Sequence, residues 1–242
     1  MNIVLLNKKS RNSTVIKFKN DVPYISYKAM DEIPWLTHGF STRIGGVSQG
    51  VLSSMNLGFG RGDLEENVVN NHKIIANAIG FESKNIVCSK QTHTTNVAVV
   101  GKEFKGNGIY KENCFTDIDG MITNEKNVVL ATYFADCVPL YMVDVKNKAI
   151  GLSHSGWRGT VGKIGACTLK KMKENYGTDS KDVIACIGPS ICMSCYEISE
   201  DVANEFKMAF PDNIDNILLN KGNGKYMLDL WAVSYTHLRA HE

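Results

Sequence analysis

Charge of either sign is in short surplus here. Against 27 Lys and Arg stand 25 Asp and Glu, leaving +2, and no segment gathers a block of like charges. Nothing in that balance marks a nucleic-acid or anionic-membrane surface, so the expected partner is a small molecule, with no nucleic acid and no membrane. Long apolar runs are missing as well. The longest, 128–135, stops at Asp136, far below the roughly 18 residues that a membrane span requires. The opening MNIVLLNKKSRN offers only a brief apolar run before Lys8 and Lys9, shorter than a signal-peptide core of about 7 to 15 residues. A cytoplasmic location is the expectation. Cysteine is neither absent nor paired: seven are scattered through the chain, an odd number in a protein large enough to hold a core without staples. They read as free thiols or a metal ligand rather than a disulfide framework.

What is present is ordinary globular composition: 242 residues, 43% hydrophobic, 21% charged, with 21 Gly, 5 Pro and no internal repeat. That suits one sizeable core. Runs rich in β-branched and aromatic residues recur at 15–18, 96–100, 128–134, 140–143, 148–153 and 183–187. Helical patterns lie between them at 64–79, opened by Asp63 and closed by Gly80; at 160–176, closed by Gly177; and at 199–209, opened by Ser199. Several strand runs follow one another with no helix between, so some pairings must be antiparallel. The expected fold class is α+β (α/β-like), a single domain of mixed β-sheets flanked by helices over residues 1–233.

Three polar-glycine clusters sit at strand ends: 38–46, 91–93, and the pair 135–139 with 154–159. Strand ends feeding loops are where a scaffold brings together side chains distant in sequence. His93, Cys137 and His154 are the candidates for such a meeting, as metal ligands and catalytic residues. Two imidazoles and a thiolate suit Zn²⁺, and three protein ligands leave one position for substrate. Their spacing matches no compact zinc motif, so a buried small hydrophobe and two satisfied histidines are the plain alternative. Asp136 beside Cys137 is a candidate to orient a ligand imidazole.

Other residues carry weaker signals. The turn at 154–160 ends a strand and opens a helix, and with Arg158 it forms a phosphate seat or simply a tight turn. Arg43, before Gly45 and Gly46, is a second anion candidate or a surface arginine. Asp119 reads as a substrate-side carboxylate or a turn aspartate. Cys192 and Cys195 have redox-motif spacing but no thioredoxin-like pattern around them, and read as incidental thiols. His72 reads as solvent-facing helix, and His38 as the one spare ligand that could close a purely structural metal site.

Taken in order, HGFSTRIGGVS (38–48), QTH (91–93), ADCVPL (135–140), HSGWRG (154–159) and IGPSICMSCYE (187–197) resemble the YfiH/YlmD family of laccase-domain proteins, over roughly residues 20–233. The resemblance implies mixed β-sheets flanked by helices, with His93, Cys137 and His154 as metal residues. It implies phosphorolysis of adenosine, inosine and methylthioadenosine, and deamination of adenosine, so that purine nucleosides and phosphate are the expected partners. Arg43 and Arg158 would then hold phosphate. Alternatives are a thiol hydrolase or amidase that edits peptidoglycan peptides with Cys137 as nucleophile, a non-enzymatic zinc protein, and a copper phenol oxidase, since His2Cys also binds copper. Six histidines, of which His237 and His241 lie in the tail, are too few for a multicopper cluster. That tail, SYTHLRAHE (234–242), resembles a translated adaptor sequence at a truncated gene end, where the family instead continues its helix and adds a closing segment. It is expected to make few buried contacts.

Overall fold

Alternation of buried side chains lays down the centre of the molecule. The computed structural model describes residues 2–4 and 13–239. In chain order its first half comprises β1 (Asn2–Val4), β2 (Thr14–Lys19), β3 (Val22–Tyr27), α1 (Lys28–Asp31), β4 (Phe40–Ser41), α2 (Glu65–Ile79), β5 (Ile86–Cys88), β6 (Val97–Val99), β7 (Gly120–Thr123) and β8 (Val129–Ala131). The second half adds β9 (Val138–Asp144), β10 (Ala149–Ser155), α3 (Trp157–Val161), α4 (Ile164–Tyr176), β11 (Val183–Ile187), β12 (Glu197–Ser199), α5 (Glu200–Ala209), α6 (Ile214–Ile217), β13 (Leu218–Gly222), β14 (Lys225–Leu228) and α7 (Leu230–Arg239). A six-stranded sheet ordered β1-β11-β9-β10-β7-β6 is joined by smaller sheets β12-β14-β13, β2-β3-β4 and β5-β8. The outer pairs β1/β11 and β6/β7 are parallel and the inner ones antiparallel. The expected mixed sheets flanked by helices are therefore present.

Both faces of the central sheet are covered, which explains why β9 and β10 are buried almost throughout. On one face Leu140, Met142, Ile164, Met172, Phe206 and Leu238 share a core with α4, α5 and α7. On the other, Met121 and Leu152 pack with Val87 and Leu130 of the small β5-β8 sheet. Side chains alternate along β10. Ser153 bonds Thr168 of α4 at 2.7 Å, so the odd residues face that helix and Leu152 and His154 face away.

Several local expectations are corrected. The helix expected over 160–176 is two helices, interrupted at Gly162 and at Lys163, whose φ of +58° is left-handed. Asp63 lies one residue too early to cap α2. Its carboxylate instead takes the Leu64 N–H and the side-chain amides of Asn56 and Asn67, pinning the preceding loop. Ser199 precedes α5, but its hydroxyl bonds Asp201 rather than capping the helix. His72 is buried rather than solvent-facing, with Nδ1 bonded to Val68 O and Nε2 to the Tyr133 hydroxyl, both at 2.8 Å. The expected lack of packing beyond residue 233 is not found. Helix α7 runs to Arg239, and Ser234 and Leu238 are fully buried, because Leu238 falls on the same helical face as Leu230. Residues 240–242, His241 among them, lie outside the described residues.

Candidate metal centre

Register places four chain segments at one end of the central sheet. Ser155 at the end of β10 pairs with Val138 at the start of β9, Ser153 pairs with Gly120 at the start of β7, and Gly120 pairs with Val97 at the start of β6. The residues just before those starts therefore meet His154: Cys137 ahead of β9, Asp119 ahead of β7, and His93 in the loop ahead of β6. Their ligand atoms all lie within 4.8 Å of one another, somewhat wider than the roughly 4 Å implied by one ion bonded at about 2.0 to 2.3 Å. His154 is buried, Cys137 half-buried and His93 exposed, so the group opens toward solvent at His93.

Asp119 organises the site from behind. Fully buried, it takes the backbone N–H groups of Thr92 (3.1 Å), His93 (3.0 Å) and Thr94 (2.8 Å), the Thr94 hydroxyl (3.0 Å) and His154 Nδ1 (2.8 Å). Wrapping three successive N–H groups around one carboxylate requires a curled loop, and His93 accordingly sits at φ +67°. Burial pushes the Asp119 carboxyl up, but the His154 imidazole and the three backbone donors outweigh it and hold the group down at about 2. An ionised carboxylate only accepts, so His154 Nδ1 donates and its Nε2 lone pair is left for an ion. Asp119, expected as a substrate-side carboxylate, is fully buried with its oxygens turned to the 92–94 loop and His154. It is this carboxylate, and not the exposed Asp136, that bonds the His154 imidazole.

Gly156 completes the cradle by having no side chain. A Cβ there would meet His93 Cδ2 at 2.5 Å and Cys137 Sγ at 3.0 Å. Burial first, then the Asp136 and Asp119 charges, raise the Cys137 thiol to about 11. Without an ion it is protonated at neutral pH and a poor nucleophile. The donor set, two imidazoles and one thiol with a carboxylate behind, fits zinc, and a bound ion would favour the thiolate.

The remaining expected site residues are dispersed. Arg158 is exposed and lies over the Trp157 ring, 4.3 Å from its centroid. It shares an electrostatic neighbourhood with Tyr196, Cys137 and Asp136. Arg43 is elsewhere, on the wall of a cavity of about 1590 Å³ lined also by Phe40, Asn56, Arg61, His72 and Phe134. Phe134 on that wall has its ring 6.1 Å from Phe40 and 5.4 Å from His154. His38 does not join the cluster, since its Nε2 accepts the Tyr27 N–H at 2.9 Å. Sequence reasoning missed Gln91 and Tyr196 as individuals although both lie in quoted motifs. The Gln91 amide both donates to Tyr133 O and accepts Tyr133 N–H at 2.8 Å, tying the His93 loop to the Cys137 loop.

Known proteins resemble this chain along most of its length. Residues 37–242 match the family described as multi-copper polyphenol oxidoreductase laccase. The purine nucleoside phosphorylase YlmD of Bacillus subtilis is 37% identical over 193 residues, covering 79% of this chain and 69% of that protein. An adenosine deaminase from an unknown prokaryotic organism is 32% identical over 197 residues, covering 81% and 75%. The crystal structure of YlmD from Geobacillus stearothermophilus superposes with a TM-score of 0.87 at 30% identity, covering 94% of this chain and 84% of that one.

Proposed function

This chain belongs to the multi-copper polyphenol oxidoreductase laccase family, and from that premise we propose that it is a zinc-dependent purine nucleoside phosphorylase, acting on adenosine, inosine and methylthioadenosine, that also deaminates adenosine. The observation that carries the reading is the convergence of His93, Cys137 and His154 in front of a buried, ionised Asp119. The names of the relatives, purine nucleoside phosphorylase and adenosine deaminase, supply the substrate class. Copper would accept the same donors, but a multicopper cluster needs further imidazoles, and both His38 and His72 are engaged away from the site.

His93, Cys137 and His154 would hold the ion, which supplies Lewis acidity toward an oxygen presented to it. Asp119 fixes the His154 tautomer and the curl of the 92–94 loop. Arg158, exposed and sharing the electrostatic neighbourhood of Tyr196, holds phosphate with its planar donors, and Arg43 on the cavity wall is the second anion-binding group. In phosphorolysis an oxygen of that phosphate bonds to ribose C1′ as the bond from C1′ to the purine nitrogen breaks, and the departing base takes up a proton. Tyr196, whose hydroxyl interacts electrostatically with Cys137 and Asp136, would hold that proton. Burial first, then the Cys137 and Asp136 charges, raise its hydroxyl, so at neutral pH it has a proton to give.

The test is to incubate protein of measured zinc content with inosine, with and without phosphate, and identify the products. Hypoxanthine and ribose 1-phosphate should form only when phosphate is present. Cys137→Ala and His154→Ala should abolish the reaction, and Arg158→Ala should raise the phosphate KM by about tenfold, the loss of one charge-assisted contact. Hypoxanthine release that ignores phosphate would contradict the assignment.

A further inference from the structure

The loop that leads from β11 to β12 rests on the segment that carries Cys137. Gly188 donates its N–H to Pro139 O at 2.8 Å and Ile191 donates to Asp136 O at 3.0 Å. Ser190 is held by the Trp231 indole, and Tyr196 O accepts the Leu228 N–H at 3.0 Å, so the loop is anchored at both ends. Between those anchors it makes one 3₁₀ turn, Met193–Cys195, closed by Cys195 N–H on Cys192 O at 3.0 Å. Such a turn brings its first and fourth residues within about 7 Å at Cα, and a disulfide spans about 4.4 to 6.8 Å. Here the first and fourth residues are Cys192 and Cys195, both exposed.

We propose that Cys192 and Cys195 form a reversible dithiol–disulfide pair on the rim of the metal centre, a modification site for low-molecular-weight disulfides. The geometry assigns the attacking role to Cys192. The Ser194 hydroxyl, at 3.1 Å, the Cys195 thiol and the backbone N–H groups of Cys195 and Ser194 turn toward its sulfur. These contacts favour its thiolate, and hold its thiol below the ordinary range. The contrast with the interior thiols is plain, since burial raises Cys88 and Cys186 to about 12. The Cys192 thiolate attacks one sulfur of the small disulfide. A bond forms between the two sulfurs, the old S–S bond breaks, and the first small thiolate leaves with the electron pair and takes a proton from solvent. Cys195, giving its proton to solvent, then attacks Cys192 Sγ and expels the second small thiolate, which is protonated in turn. The protein loses two electrons and two protons, and the small disulfide becomes two thiols. Tyr196 follows directly and stands beside Cys137 and Asp136, so the pair lies at the edge of the site.

The experiment treats the reduced full chain with oxidised glutathione and maps every cysteine by mass spectrometry. Wild-type protein should end with Cys192 and Cys195 joined, a loss of about 2 Da with no retained glutathione. In Cys195→Ser the glutathione should stay on Cys192, for want of a resolving thiol. In Cys192→Ser, modification of Cys195 should be at least about tenfold slower. Glutathione retained on Cys192 of the wild type, or a Cys192→Ser protein that reacts as fast as the wild type, would overturn the proposal. Both outcomes are read without any nucleoside, so they stand apart from the phosphorylase assignment.

Discussion

Asp119 decides more about the site than any of the three ligands it stands behind. It sets the tautomer of His154 and curls the loop that presents His93, through five hydrogen bonds to its two oxygens. Asp119→Asn would keep the shape but place an N–H₂ where those donors converge. Zinc affinity should fall by about 10- to 100-fold, as measured by competition with a chromophoric chelator. The same substitution tests a stability claim. The folded-state pKa is depressed to about 2, so the carboxylate's contribution is present above the unfolded carboxyl value near 3.9 and disappears as pH falls toward 2. At neutral pH that contribution is about 2 to 3 kcal/mol, and acid unfolding of the metal-free protein should therefore begin at higher pH in the variant than in the wild type. At this scale the three residues that meet are legible in the sequence because thiol and imidazole have few uses at strand ends. Asp119 was visible only as an aspartate near a turn. Its donors, Thr92 to Thr94, come to it through the pairing of β6 with β7, which no local pattern announces.

Among the elements, four strand ends gather residues that a compact zinc motif would carry on one short stretch of chain. The sequence runs at 140–143, 148–153 and 183–187 found β9, β10 and β11, and 183–187 matches β11 in both bounds. Composition could not show that β9 and β10 form the antiparallel pair that brings Cys137 beside His154, because register depends on which face is buried and not on strand propensity. The helix over 160–176 was misread for a related reason. Its apolar spacing continues through Gly162 and Lys163, whereas the break comes from backbone turning left-handed at Lys163. Gln91 provides the element-scale test. Its paired hydrogen bonds to Tyr133 hold two ligand loops together, so Gln91→Leu should weaken zinc binding by about tenfold while leaving the circular dichroism of the sheet unchanged. Unaltered zinc affinity in that variant would show the loops to be fixed by other contacts.

For the molecule as a whole, helix α7 and the centre are joined through the main core. Leu238 is buried in the same cluster as Leu140, Met142 and Phe206, although the sequence from Ser234 onward broke the apparent pattern of the helix it follows. The polar residues of this segment interrupt the apolar pattern, while Leu238 on the inward face keeps it in the core. Leu238→Ala should therefore cost about 2 to 5 kcal/mol in denaturant unfolding, the range for a fully buried leucine. A change below about 0.5 kcal/mol, typical of surface positions, would mean that α7 does not pack as described. Charge balance and the lack of long apolar runs had already favoured a small-molecule partner, and no helix among the described residues is long and apolar enough to cross a membrane.

The central claim is that His93, Cys137 and His154 together hold one ion. X-ray absorption on protein loaded with one equivalent of zinc measures the donor atoms themselves. The account predicts one sulfur at about 2.3 Å together with nitrogen or oxygen donors at about 2.0 to 2.2 Å, and loss of the sulfur shell in Cys137→Ser. A zinc spectrum without sulfur in the wild type, or a sulfur shell that survives Cys137→Ser, would contradict it.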